Sequence, residues 1–188
     1  MTIEIASTEL KHSGWAKFHV ATFRLADGQT VRREIEDHGS ASCVLPYDPE
    51  RRTAVLVRQF RAPVFFAAQQ EETLEAIAGV IEDEDPAMCA RREAREEAGL
   101  ALGALEHVVT GWTMPGISTE RMHFYLAAYR QTDRLGAGSG VDHTDEATPI
   151  EMALAELADM ADTGRLVDVK TLLLLQALRL RQPHLFDT

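Results

Sequence analysis

Three glutamates, Glu93, Glu96 and Glu97, stand at i, i+3 and i+4 in a stretch that reads as a helix. At about 100° of turn per residue these positions share one side of the helix, so three carboxylates are crowded together. Helix surfaces usually relieve such crowding with cations four residues away. Arg92 can reach Glu96 in that way, but Glu93 faces Glu97. A hard divalent cation resolves the conflict, because Mg²⁺ takes oxygen ligands and commonly binds one or two carboxylates together with substrate phosphates. A solvated charged face is the alternative, and for a run such as Arg92 to Glu97 taken alone it is the commoner one.

The flanks define the helix that carries these acids. Asp85 suits an N-cap and Pro86 the first helical position, while Gly99 suits the left-handed residue that ends a helix. The helix is expected over about Pro86 to Ala98. Ala87, Ala90, Ala94 and Ala98 recur along one narrow face, and small residues there allow close packing on a sheet.

The remaining elements must position that helix. Trp15 to Leu25 and Thr30 to Ile35 alternate around Asp27-Gly28, a hairpin signal, and residues 1–41 read as a β-rich N-terminal subdomain ahead of a domain at 42–188. Ser42 to Pro46 and Ala54 to Gln59 form a second strand pair around a turn at Tyr47 to Arg52. Leu74 to Ala78 is a short strand running into Gly79. Leu105 to Trp112 and Arg121 to Tyr129 are further strands, and Gln131 to Pro149 reads as a long surface loop. Ile150 to Thr163 and Val167 to Arg181 look helical, separated at Gly164. Strands, a central helix, more strands and C-terminal helices imply a mixed α/β or α+β domain with helices on a sheet.

The totals bound the function. The 188 residues, 45% of them hydrophobic, suit one globular domain with a small appendage. A formal net charge of −11 argues against non-specific nucleic-acid or anionic-membrane binding, so an anionic substrate needs local arginines or metal. Cys43 and Cys89 make neither a disulfide framework nor a zinc pattern and read as buried small hydrophobes. No signal peptide or membrane-length apolar run is evident, and a cytoplasmic protein is expected.

Arg92-Glu93-Ala94-Arg95-Glu96-Glu97-Ala98-Gly99-Leu100 resembles the second half of the Nudix box, GX5EX7REUXEEXGU, and Leu74 to Gly79 resembles the strand and glycine that enter it. The segment is one residue short of that pattern. Anchoring on the helix puts Glu84 in the first acidic slot and Ala78 in the glycine slot; anchoring on Gly79 puts Asp85 in the acidic slot instead. Arg33 to Gly39, Val57 to Arg61, Met114-Pro115-Gly116 with Glu120, and Lys170-Thr171 resemble the sugar-nucleotide branch of the family, which includes ADP-ribose and GDP-mannose pyrophosphatases. The shortened box, with Asp85-Pro86 and Cys89, is most similar to the latter.

That resemblance implies a Nudix fold, with a mixed sheet packed between helices, and a set of site residues. The Ala78 carbonyl, Glu93, Glu96 and Glu97 would hold Mg²⁺, or Mn²⁺, together with a loop glutamate matched by Glu146; Asp145 and Asp142 compete for that last role. Glu97 or Glu146 would be the catalytic base. Arg61, Ala78, Gly79, Glu120 and Lys170 would contact substrate. Family dimers pair through the N-terminal subdomain, so Trp15, Arg33 and Glu34 would serve the partner's site in a homodimer. Each also has a plainer reading: Trp15 as a packed aromatic, Arg58 and Arg61 as strand-edge charges, Asp145 and Glu146 as solvated loop. His123, in an apolar strand, reads as a core histidine.

The expected activity is Mg²⁺-dependent hydrolysis of a nucleoside diphosphate sugar to a nucleoside monophosphate and a sugar phosphate. A non-catalytic nucleotide-sensing module is the alternative, separated by tight ligand binding without turnover. An interaction protein using an acidic helix would bind no metal at all.

Overall fold

The computed structural model describes residues 2–135 and 147–187. The chain divides into two compact units, Met1–Ala41 with Thr110–Met122, and Ser42–Val109 with His123–Thr188.

The first unit contains an antiparallel three-stranded sheet of β1 (Glu4–Ser13), β2 (Lys17–Arg24) and β3 (Thr30–Asp37), in that order. The β2–β3 hairpin pairs Arg24 with Thr30 and Lys17 with Asp37. Its turn is closed where the Leu25 N–H donates to the Gln29 carbonyl (2.8 Å) and the Gly28 N–H to the Leu25 carbonyl (2.9 Å), as Asp27-Gly28 predicts. β1 lies on the open edge, and all ten of its residues are exposed.

The second unit is built on β4 (Ala41–Asp48), β5 (Thr53–Gln59), β6 (Thr73–Glu75), β7 (Ile77–Val80), β8 (Glu106–Trp112), β9 (Arg121–Ala128) and β10 (Thr148–Ala153), although the outer ends of β8 and β9 fall in the first unit. The strand order is β10-β5-β4-β9-β8, with β6 beside β5 and β7 beside β4. Every residue of β4 is buried, as a central strand requires. Helices α1 (Ala62–Ala68), α2 (Pro86–Ala98), α3 (Leu154–Asp162) and α4 (Val169–Arg181) complete it. The expected α+β class holds.

Helix α2 has the predicted limits. The Asp85 side chain accepts the Ala87 N–H (2.9 Å), Pro86 opens the helix, and Gly99 closes it at φ 61°, a conformation that costs a glycine little. Its alanine face is the core contact: Ala90, Ala94 and Ala98 are buried among Val44, Val55, Val57, Ile77, Leu100 and Tyr125, with Ala87 packed at the margin. Because none of these side chains extends beyond a methyl group, the helix lies close against β7.

The expected starts of both C-terminal helices need correction. Ile150 to Ala153 is not helical but belongs to β10, pairing antiparallel with β5 from Thr148↔Arg58 to Ala153↔Thr53; sheet pairing overrides the helical propensity of Glu151, Met152 and Ala153. Val167 precedes α4, because the Asp168 carboxylate accepts the Thr171 N–H (3.0 Å) and caps the helix there. Helix α1 was not anticipated, since seven residues opening on a proline are too few for a periodicity to register. The expected loop at 131–149 opens with a 3₁₀ turn, Gln131–Asp133, and closes in β10; Asp142, Asp145 and Glu146 lie outside the described residues. Among the described residues no helix is long and apolar enough to cross a membrane.

Glu151 locks β10 in place. Its carboxylate accepts from Arg51 Nη1 and Nη2 (2.5 and 3.0 Å), Thr53 Oγ1 (2.8 Å) and Tyr129 Oη (2.7 Å). Burial alone would raise its pKa, but the hydrogen bonds from Arg51, Tyr129 and Thr53 and the Arg134 charge bring it to about 2, against an ordinary 4.5. The folded state therefore prefers the ionised form. That stabilisation is complete above pH 4.5 and is lost as pH falls toward 2. Glu151→Gln is expected to lower stability at pH 7 by about 1–3 kcal/mol, and thermal melts should show a shallower acid decline than wild type.

Candidate active site

The acidic face of α2 meets β7 at Gly79. A Cβ on Gly79 would overlap Oε1 and Cδ of Glu93, so the place that Glu93 takes depends on glycine here. The carboxylate of Glu93 occupies the space a side chain would fill. Cys89 closes the same junction, its thiol directed at the carbonyls of Gly79 (3.6 Å) and Val80 (3.5 Å). Burial pushes that thiol up to about 11, which keeps it a protonated donor and not a nucleophile.

The shortened box resolves in three dimensions. Glu84 Oε1 accepts from Arg92 Nε (2.9 Å) and Nη2 (2.8 Å), while Asp85 is spent on capping the helix. Glu84 is thus the acid that works with the helix, and Gly79 is the glycine that admits Glu93. The missing residue falls in the connection between them. Both anchors of the pattern are kept, and only the linking loop is tighter.

Arg92 stands among the acids. Besides Glu84, its Nη1 donates to Glu93 Oε1 (2.7 Å) and Glu96 Oε2 (3.0 Å), and its Nη2 to the Val80 carbonyl (3.3 Å). One arginine thus serves three carboxylates. The balance shows at Glu93: burial raises its pKa, Arg92 opposes this, and the charges of Glu96 and Glu84 add to the rise, so the net shift is upward. Glu97, one turn beyond Glu93, keeps its Oε2 out of solvent. A half-buried carboxylate set short of positive charge, beside the β7 backbone at Ala78 and Gly79, fits a hard divalent cation. Among the described residues no three acidic, histidine or cysteine side chains already converge as a cation cage, because Glu93 and Glu96 are turned onto Arg92.

A second cluster in this unit joins two residues that the sequence treated separately. Arg61 donates from Nε and Nη2 to the two oxygens of Glu75 (2.9 and 2.8 Å), and Lys170 Nζ reaches Glu75 Oε2 at 3.0 Å. Lys170 also donates to Asp168 Oδ1 (2.7 Å). Burial would raise the Glu75 pKa, but Arg61, Lys170 and Thr73 hold it down at about 2.

In the first unit, Trp15 stacks on His38 with ring centroids 4.7 Å apart. His38 Nδ1 lies 2.6 Å from Glu36 and Nε2 3.1 Å from Glu120, and Thr113 Oγ1 donates to the other Glu120 oxygen. Burial disfavours protonation of His38, but the two carboxylates outweigh it and raise its pKa. Arg33 and Glu34 line a hollow of about 620 Å³ with Trp112, Pro115 and Ile117. Trp15, Arg33, Glu34 and Glu120 thus belong to the first unit, and Ala78, Gly79, Glu93, Glu96, Glu97, Arg61 and Lys170 to the second. His123 is half-buried in β9. Asp168 carried no motif, and Glu75 and His38 lay within the motifs Leu74 to Gly79 and Arg33 to Gly39 without being assigned a role. The one available signal for Glu75 was an acid inside an otherwise apolar strand, which needs a buried partner.

The NUDIX domain profile matches residues 37–173. A GDP-mannose pyrophosphatase of Cronobacter sakazakii is 35% identical over 96% of this chain and 97% of its own length. Proteins of the same name from Pectobacterium atrosepticum and Escherichia coli are 36% identical over 93% of this chain and 92% of their own, and 32% over 98% of each. A crystal structure described as an ADP compounds hydrolase superposes with a TM-score of 0.78 over 98% of this chain and 96% of that one, at 16% identity, which is a likeness of fold.

Gly79→Ala is expected to leave the fold intact, since the displaced atoms belong to a side chain, but to push Glu93 out of its place. Calorimetric titration with Mg²⁺ or Mn²⁺ should show affinity lower by about 10- to 100-fold; unchanged affinity would refute the cradle.

Proposed function

This chain belongs to the Nudix family, and on that premise we propose that it hydrolyses the pyrophosphate bond of a nucleoside diphosphate sugar, of GDP-mannose or ADP-ribose type, with Mg²⁺. The observation that carries the proposal is the under-compensated acidic face of α2, with Glu93 seated against Gly79. The names of its relatives place GDP-mannose first among substrates to try. The resemblance of Arg33 to Gly39 and Val57 to Arg61 to the sugar-nucleotide branch keeps ADP-ribose beside it.

The Ala78 carbonyl, Glu93, Glu96 and Glu97 would hold the cation, with Glu146 from the late loop. A divalent cation there neutralises the diphosphate and makes water easier to deprotonate. Glu97 or Glu146 takes the proton from the attacking water. The water oxygen bonds to one phosphorus, the bridging P–O bond breaks, and a nucleoside monophosphate and a sugar phosphate leave. Arg61 and Lys170 carry the positive charge suited to the diphosphate, Glu120 would be a further substrate contact, and Trp15, Arg33 and Glu34 would serve the partner's site in a homodimer. We further propose that residues 1–41 form a dimerisation subdomain, supported by the fully exposed edge strand β1, and that the enzyme is cytoplasmic, supported by its two unbridged cysteines.

Glu97→Gln should reduce Mg²⁺-dependent kcat by about 10²- to 10⁴-fold, read on a panel of sugar nucleotides with products identified by mass; full retained turnover refutes the assignment. Reaction in ¹⁸O-water identifies the phosphorus attacked. Nucleotide binding without product over long incubation with Mg²⁺ or Mn²⁺ would favour a sensing module instead. Light scattering should return twice the 20.8 kDa chain mass, and a monomer would exclude the dimer.

A further inference from the structure

We propose that Glu75 is a positioning residue for substrate binding: its single buried carboxylate sets Arg61, from the N-cap of α1, and Lys170, from the first turn of α4, side by side as one receptor for a diphosphate. The inference rests on the activity proposed above and concerns a residue that acts only through others.

The geometry is specific. Arg61 Nη2 and Lys170 Nζ share one oxygen, Oε2, at 2.8 and 3.0 Å, so the two cationic groups are forced into adjacent positions although 109 residues separate them in sequence. Arg61 Nε on Oε1 (2.9 Å) makes the arginine contact bidentate and fixes the guanidinium plane. Thr73 Oγ1 donates to the same Oε1 and orients the carboxylate. Asp168 holds Lys170 from the other side and caps α4. Thr171 Oγ1 then accepts the Ala76 N–H at 2.6 Å. This last bond ties the start of α4 to the backbone two residues ahead of Ala78.

Exposure decides the direction in which the cluster faces. The Glu75 side chain is 4% exposed, Lys170 20% and Arg61 36%, so the acid lies at the base and the cations lie outward. An ammonium has three protons, of which Glu75 and Asp168 take two. Stability alone does not explain the arrangement, because a buried ionic cluster is commonly matched or bettered by apolar packing of the same volume. A chain with a net charge of −11 also needs its cations held in place to attract an anion.

The test is the dissociation constant of GDP, measured by calorimetry with and without Mg²⁺, together with KM and kcat for GDP-mannose and ADP-ribose. Glu75→Gln should weaken GDP and raise KM by about tenfold or more, with a smaller change in kcat, as loss of a charge-assisted contact predicts. In an Arg61→Ala, Lys170→Ala background the same substitution should change nothing further, because the groups it positions are gone. A purely structural role predicts effects that multiply in that background, and this outcome, or wild-type GDP affinity in Glu75→Gln, overturns the inference. Should Glu75→Gln not fold, Thr73→Val, which removes only the hydroxyl that orients Glu75, gives the same comparison with a smaller effect. Absence of GDP binding by the wild-type protein also overturns it. Failure to turn over either sugar nucleotide would sink the proposed activity while leaving the GDP comparison to judge Glu75.

Discussion

The close approach of α2 to β7 is the constraint from which the rest of the site follows. It is made by absence of bulk on both sides: alanines on the buried face of the helix and a glycine on the strand. Protein interiors are packed to crystal-like density, so a strand and helix drawn this close leave little room, and it is taken by the carboxylate of Glu93 and the thiol of Cys89. A core contact thereby fixes a polar side chain. The acid is drawn into half-burial beside the small alanines, and that burial raises its pKa.

The electrostatic organisation answers that cost in two different ways. Around Arg92 the acids outnumber the cation, its guanidinium being divided among Glu84, Glu93 and Glu96. At Glu75 the ratio reverses, with Arg61 and Lys170 converging on one carboxylate. The first arrangement suits a metal ion and the second suits an anion. Both lie in the second unit, and both draw on the consecutive strands β6 and β7, with Glu75 ending the first and Gly79 lying in the second.

The legibility of the chain follows the range of its interactions. The hairpin at Asp27-Gly28 and the limits of α2 were readable because turn chemistry and capping act over a few residues. β10 was misread because Ile150 to Ala153 takes its conformation from β5, about a hundred residues earlier. Helix α1 was invisible because it buries no residue and has no periodic face. Glu75 was passed over as part of a strand, since nothing in its neighbourhood announces that Arg61 and Lys170 will meet there.

By itself the sequence determined the spacing of Glu93, Glu96 and Glu97, because the rise and turn of a helix are the same wherever it packs. It also determined the family, through the length and order of that motif. Only the tertiary structure decided which residues fill the irregular first half of the box. A one-residue deletion in a loop leaves several alignments equally good along the chain. In space a single arrangement remains: Glu84 reaches Arg92, Asp85 caps the helix and Gly79 yields to Glu93. Loop residues have no fixed periodicity, so their register is set by where their side chains find partners.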